Sequence, residues 1–427
     1  MAELPVVLYG AGREAVSTRR FLAARRPDRK MFVTVDSGPA ELPDTEALSP
    51  EALDAAIAAK SISLIVKSPG VSLYKPVFAA ARAAGIPVTS NLNLWAGTYR
   101  AGRRVIAISG TKGKSTTATL VHLMLVESGV DAGLAGNVGV APLDIAGRHQ
   151  TVIFELSSYQ TADMDFLPDI AGLTNLSPEH VDWHGSVERY YQDKLNLFAR
   201  PGPVHIGLGR PAESDGRVMA AVGDPARLLP QLDGALVEEI DAAMAGSRLK
   251  GAHNRDNALL AARLAIAAGA SAEGIAAGIA RFAPLPHRLE EHAIGGKIFV
   301  DDSISTTPEA TKAALAAYAG RRIALILGGH ERAQDYADLI ARLGPAGVTT
   351  VIGLPVTGER AIAALANRLD VVAEMAPDLT AAMARLAELG DRFDTLILSP
   401  GAPSYNQFRN FEERGKRFVS LARALFG

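Results

Sequence analysis

The sequence predicts an α/β protein whose sheets are mainly parallel and are shared among three domains. Short β-rich apolar runs alternate with Ala- and Leu-rich helical stretches along the chain, the pattern of repeated strand–helix–strand units. Glycines sit where apolar runs give way to helices, at Gly10-Ala11-Gly12 and at Gly110-Thr111-Lys112-Gly113, as in sheets that bind ligands at their strand ends. The 427 residues exceed one ordinary domain of about 100–200 residues.

The expected domains are 1–98, 99–288 and 289–427. In the first, Val6-Val7-Leu8-Tyr9 reads as a strand, and a helical pattern follows Gly12 as far as Ala24. Residues 31–35 form a second strand that ends in Asp36, and 64–66 and 86–88 are further short strands. In the second domain, 105–109 is a strand that breaks at Gly110, and the helical stretch 114–128 stops at Gly129. Residues 152–156 and 170–176 read as buried strands, and 254–268 as a helix. In the third domain the strands are 297–300, 323–327, 349–353 and 395–398, with helices between them. The proline-containing stretch 283–286 is the expected hinge.

Composition removes several functional classes. Apolar residues make up 48% and charged residues 21%, an ordinary globular balance. A net charge of −2 gives no bias toward nucleic acid or an anionic membrane. The absence of cysteine excludes disulfides, thiolate metal sites and cysteine nucleophiles. Residues 1–10 lack the pattern of a signal peptide, and no apolar run approaches the ~20 residues that span a bilayer. A cytoplasmic protein is expected.

Ser109-Gly110-Thr111-Lys112-Gly113-Lys114-Ser115-Thr116 stands between a strand and a helix, as a phosphate-binding loop must. Glycines let backbone N–H groups turn toward phosphate oxygens, and the helix N-terminus adds partial positive charge. Lys114 has the reach for the β- and γ-phosphates, and the hydroxyl of Ser115 or Thr116 for Mg²⁺. Ile108 replaces the first glycine of the general motif. Such a loop needs an acid from a neighbouring strand end, and Glu155 is placed for it. After the next strand comes the cluster Asn175, Ser177, Glu179, His180 and Asp182, in which His180 is a candidate for Mg²⁺ or phosphate. Spacing alone reads Lys194 as a solvated helix lysine.

In this order the motifs resemble the Mur ligases. They are the loop 110–116, Gly136-Asn137, Glu155-Leu156-Ser157-Ser158-Tyr159-Gln160, Asn175-Leu176-Ser177-Pro178-Glu179-His180, His253-Asn254, Pro286-His287-Arg288, Asp302-Ser303 and Ser399-Pro400-Gly401. The run 404–415, from Ser404 to Gly415, resembles the glutamate-adding branch, and the Asp-Asn-Pro-Arg motif of the diamino-acid-adding branches is missing. The resemblance implies an N-terminal Rossmann-like domain for the UDP end, a central P-loop ATPase-like domain and a C-terminal Rossmann-like domain for the amino acid. It implies a monomer that uses ATP and Mg²⁺ to join glutamate to UDP-N-acetylmuramoyl-L-alanine through an acyl phosphate, releasing ADP and phosphate.

It also implies roles for particular residues. Glu155, His180, Ser115 and Lys194, the last as a carbamate, hold metal, and Lys114 serves phosphoryl transfer. Gly110, Thr111, Lys112, Gly113, Thr116, Asn254, Asn257, Arg288 and Asp302 contact ATP. Gly12, Arg13, Asp36, Ser37 and Asn137 hold the UDP substrate, while Thr306, Arg332, Ser404 and Phe411 receive glutamate. Two departures separate the chain from the common D-glutamate enzymes: Ile304 and Arg332 stand where those enzymes carry lysines. An arginine still pairs with a carboxylate, through a fork instead of a point charge. The departures resemble the subgroup that adds L-glutamate; D-glutamate is the alternative. A rival of another class is a nicotinamide dehydrogenase, since Gly10-x-Gly12-x-x-Ala15 with Asp36 about 20 residues on satisfies the dinucleotide fingerprint.

Overall fold

The computed structural model describes residues 4–36, 40–137, 140–249, 251–283, 286–331, 335–365 and 371–427. Ser37 and Arg332, and residues 284 and 285 of the expected hinge, lie outside that set. The chain folds into two compact units, Met1–Phe282 and Ala283–Gly427. Among the described residues, no helix is long and apolar enough to cross a membrane.

The first unit holds two parallel sheets. One is built from β1 (Val6–Tyr9), β2 (Met31–Thr34), β3 (Glu46–Ala47), β4 (Leu64–Lys67) and β5 (Val88–Ser90) in the order β3-β2-β1-β4-β5. The other comprises β6 (Arg104–Ser109), β7 (Ala132–Gly136), β8 (Thr151–Glu155), β9 (Ile170–Leu173) and β10 (His205–Leu208), ordered β10-β9-β6-β8-β7. Central β6 shows why its sequence is almost wholly apolar. Ile106 and Ile108 pack on one face with Leu120, Val121 and Met124, whereas Val105 and Ala107 pack on the other with Trp95 and Phe154. A parallel strand covered on both faces needs apolar residues at every position.

The second unit holds β11 (Glu290–Ile294), β12 (Lys297–Asp301), β13 (Ile323–Leu327), β14 (Val348–Gly353), β15 (Val372–Met375) and β16 (Thr395–Leu398), ordered β11-β12-β16-β13-β14-β15. All its pairs are parallel except β11 with β12. Those two form a hairpin across Gly295 and Gly296, whose φ values of 55° and 77° are the left-handed pair that a tight hairpin turn requires.

Two expected strands are corrected. The strand expected at 86–88 begins at Val88, because Pro87 has no N–H to give to the ladder; its carbonyl accepts from Ile65 instead. The strand expected at 170–176 ends at Leu173, because Thr174 leaves the sheet to bind the loop beside it: its Oγ1 donates to the Lys112 carbonyl at 2.5 Å. The pattern did not reveal β3, β7, β10, β11 and β15. The glycine-rich β7, Ala132-Gly133-Leu134-Ala135-Gly136, and the charged edge strand β11, Glu290-Glu291-His292-Ala293-Ile294, lack the apolar alternation that marks a strand.

Candidate functional site

In the first unit β6 ends at the buried Ser109, and the helix Lys114–Glu127 begins five residues later with Gly113 as its N-cap. The first N–H groups of that helix have no partner within it, so the loop presents donors and the positive end of the helix dipole together. Side chains from the segment after β9 fix the loop. Asn175 accepts from the Lys112 N–H and donates to the Lys112 carbonyl, both at 2.9 Å. Thr111 Oγ1 donates to the Ser177 carbonyl at 2.9 Å and lies 2.8 Å from the Tyr190 hydroxyl. Lys112 pairs with Glu179 at 2.6 Å, and Lys114 Nζ donates to the Thr111 carbonyl at 2.9 Å.

Gly113 is required here. Its φ is +83°, and a Cβ would stand 2.4 Å from Asn257 Oδ1. Gly113→Ala is expected to displace both the loop and Asn257 and to raise the KM for ATP by about tenfold or more, since backbone strain of this kind costs on the order of 1–3 kcal/mol. Steady-state kinetics against ATP check this; an unchanged KM would remove the loop from nucleotide binding.

Because β8 pairs with β6, with Ile108 opposite Glu155, the acid lies at the strand end beside the loop. Glu155 is 1% exposed; Oε1 accepts from Asn137 Nδ2 at 3.3 Å, and Oε2 is buried with no hydrogen-bond donor among the described residues. A buried carboxylate oxygen in that state is costly unless a cation or donor meets it. Lys194 is not the solvated helix lysine its spacing predicts. The helix Val187–Leu195 turns it inward to 2% exposure, and Nζ donates to the Gly110 carbonyl at 2.6 Å. Burial, with Lys114's charge adding to it, holds the amine well below the usual lysine range. His180 sits at φ 54°, partly exposed, with its ring 5.0 Å from that of Tyr159. Loss of solvent pushes its imidazole below the usual histidine value, Glu179 opposing and Lys114 and Lys194 reinforcing. Asn257 lies against Gly113 and donates to Asn254 Oδ1 at 3.3 Å.

The residues expected at the UDP end are partly gathered. Gly12 caps the helix Arg13–Arg25, and Arg13 donates to the carbonyls of Asn137 at 2.8 Å and Gly136 at 3.3 Å, which brings Asn137 to that helix end. Asp36 is already engaged by the Tyr9 hydroxyl at 2.6 Å and by Lys75 at 2.8 Å. Sequence reasoning passed over Lys67, fully buried and 3.1 Å from Asp163 Oδ2, and also Asp193 and His184, 2.5 Å apart. Polar residues of this kind read as surface until a partner distant in sequence is known.

In the second unit Asp302 and Ser399 directly follow β12 and β16, which are neighbours. Asp302 accepts from Ser399 Oγ at 2.7 Å and from the Leu289 N–H at 3.2 Å. Burial pushes its carboxyl up to about 6 against those hydrogen bonds. Arg288, near enough to lower that value, belongs to this unit. The Gly401 N–H donates to the Ser305 carbonyl at 3.1 Å, drawing the segments of Thr306 and the buried Ser404 together. The Phe411 carbonyl accepts from Ser303 Oγ at 2.8 Å. Arg414, absent from the expected set, is 1% exposed and ties Ser303 to the Ala402 carbonyl.

Profiles of two domain families match the chain: the Mur ligase middle domain over residues 108–207, and the Mur ligase, glutamate ligase domain over residues 287–402. A UDP-N-acetylmuramoyl-L-alanine–L-glutamate ligase of a Micromonospora species is 37% identical, across 99% of this chain and 97% of that relative. The enzyme of the same name from Xanthomonas axonopodis pv. citri is 35% identical, across 98% and 94%. Among solved structures, UDP-N-acetylmuramate-alanine ligase from Thermotoga maritima matches 99% of this chain and all of its own with a TM-score of 0.60 at 15% identity. The MurF ligase of that organism, in complex with ADP, matches 100% of this chain and 96% of its own with a TM-score of 0.58 at 12% identity. At those identities the structural likeness speaks for the fold. The dehydrogenase reading of Gly10 to Ala15 finds no support here. Sequence similarity over nearly the whole length and the two matched domains together establish that the chain belongs to the Mur ligase family, the ATP-dependent, ADP-forming ligases that join an acid to an amino acid.

Proposed function

We propose that this ligase adds L-glutamate to UDP-N-acetylmuramoyl-L-alanine. The observation that carries the chemistry is Lys194, buried beside the phosphate loop with its amine on the Gly110 carbonyl. The names of the relatives at 33–37% identity support the substrate and its L configuration. In this reading residues 1–98 hold the UDP end through Gly12, Arg13, Asp36 and Ser37, assisted by Asn137. Residues 99–288 bind ATP through 110–116, Asn254, Asn257 and Arg288, joined by Asp302. Residues 289–427 receive glutamate through Thr306, Arg332, Ser404 and Phe411.

A carboxylate is a poor acyl donor until one of its oxygens becomes a good leaving group. An oxygen of the alanine carboxylate therefore attacks the γ-phosphorus of ATP, and ADP departs. The glutamate amine then attacks the acyl phosphate carbon; phosphate leaves with the carboxylate's oxygen, and the amine loses a proton as the amide forms. Phosphoryl transfer is limited by charge, so Lys114 and the helix N–H groups act where charge builds. Ser115, Glu155, His180 and Lys194, as a carbamate, would hold Mg²⁺, and the buried Glu155 oxygen that meets no donor among the described residues fits a cation. Bound there, the ion neutralises charge on the transferring phosphoryl group. Carbamate formation needs a neutral amine, and burial of Lys194 favours one.

The test is phosphate release with UDP-N-acetylmuramoyl-L-alanine and each glutamate enantiomer separately. L-glutamate alone is expected to stimulate release. Stimulation by D-glutamate alone would reverse the stereochemistry and leave the ligase standing; stimulation by neither would sink the substrate assignment. Heavy oxygen placed in the alanine carboxylate is expected to appear in the released phosphate, and its absence there would exclude the acyl phosphate.

A further inference from the structure

One line of side chains in the first unit has no part in the reaction as described. The Tyr74 hydroxyl donates to Asp193 Oδ1 at 2.5 Å, and Asp193 Oδ2 lies 2.5 Å from His184 Nδ1. His184 Nε2 lies 3.0 Å from Ser158 Oγ. The imidazole and Ser158 are buried, and the Asp193 side chain is 8% exposed. The carboxylate only accepts, so His184 Nδ1 carries its hydrogen toward Asp193; in the neutral ring, Nε2 is then left to accept from the Ser158 hydroxyl. Every polar end of the line is satisfied, the condition under which a buried network is rigid.

The line runs between elements that matter. Ser158 opens the helix Ser158–Asp163, three residues beyond Glu155. Asp193 directly precedes Lys194 in the last turn of the helix Val187–Leu195, and the Lys194 amine donates to the Gly110 carbonyl. One imidazole thus ties the segment that follows Glu155 to the residue that precedes Lys194. Tyr74 extends the tie to the segment after β4 in the other sheet. Trp183 anchors this segment: its Nε1 donates to the Gly70 carbonyl at 3.1 Å, and its own carbonyl accepts from Ser72 Oγ at 2.7 Å. The Tyr159 ring stacks on Trp183 at 4.7 Å.

We propose that His184 is a positioning residue that sets the spacing between Glu155 and Lys194, with Tyr74 and Ser158 as its outer supports. The inference rests on the reading that Glu155 and Lys194 serve the phosphoryl-transfer centre. A displacement of about 1 Å at such a centre costs about a hundredfold in rate, so losing one support has a visible effect without unfolding the protein.

The experiment uses the full chain and three variants: His184→Asn, Ser158→Ala and Tyr74→Phe. The last two remove single hydroxyls and keep the test open if the first fails to fold. Each is assayed for kcat, for KM toward ATP and glutamate, for the Mg²⁺ concentration giving half-maximal rate, and for Tm. Ser158→Ala and His184→Asn are expected to lower kcat about tenfold or more with both KM values within about twofold, and to raise the half-maximal Mg²⁺ severalfold. Tyr74→Phe is expected to do the same more weakly. An unchanged Mg²⁺ requirement in the folded variants overturns the proposal, whatever happens to Tm or kcat, because a purely structural role predicts that result. Glu155→Gln separates the two readings. If it keeps full activity, the phosphoryl-transfer assignment itself is wrong. If it is inactive while the His184, Ser158 and Tyr74 variants keep a normal Mg²⁺ requirement, only the positioning proposal falls.

Discussion

Lys114→Ala is expected to lower turnover by about a thousandfold or more and to leave the protein folded. Losses of that order follow removal of a group that stabilises charge in phosphoryl transfer, because its interaction is stronger in the transition state than with bound ATP. The structure explains why folding survives. Lys114 is only partly buried and touches its own loop through the Thr111 carbonyl, while the packing of that helix rests on Thr117, Leu120, Val121 and Met124, all fully buried. The Tm is therefore expected to stay within a few degrees, a ΔΔG below about 1 kcal/mol. Glutamate-dependent phosphate release gives kcat, and thermal unfolding checks the fold. A folded variant with near-normal kcat would remove this loop from catalysis.

Lys194→Ala is the second large effect. The variant is expected to lose nearly all activity and to recover part of it in acetate or formate. The substitution deletes a buried side chain 2.6 Å from the Gly110 carbonyl, leaving space beside the loop that a small carboxylate fits. A short acid placed there restores the negative charge that a carbamate would supply. The wild-type protein is expected to lose activity as carbon dioxide is stripped and to regain it with bicarbonate. It is also expected to lose activity as pH falls, because protonating the amine removes the nucleophile that captures carbon dioxide. If neither acetate with the variant nor bicarbonate with the wild type changes the rate, Lys194 acts as an amine and the carbamate is wrong. These outcomes leave the Lys114 result untouched, since the two lysines enter the loop from helices distant in sequence, Lys114–Glu127 and Val187–Leu195.

What the sequence determined by itself is local. The phosphate loop was legible because its chemistry lies within eight consecutive residues, Ser109 to Thr116, between a run that must be a strand and a run that must be a helix. The strands β13 and β16 were found with the bounds they have, because strands buried on both faces show as unbroken apolar runs. The order of motifs sufficed to identify the family. What only the tertiary structure decided lies between residues far apart in the chain. Lys194 reads as a solvated helix lysine until its helix is packed, and its partner Gly110 is 84 positions away. His184 and Tyr74 look unremarkable until Asp193 stands between them, and Arg414 until Ser303 and Ala402 meet it. An apolar residue announces its burial by pattern, since water excludes it wherever a core forms. Burying a polar residue costs free energy unless a specific partner offsets the loss of water, and that partner is chosen by how the sheets and helices assemble.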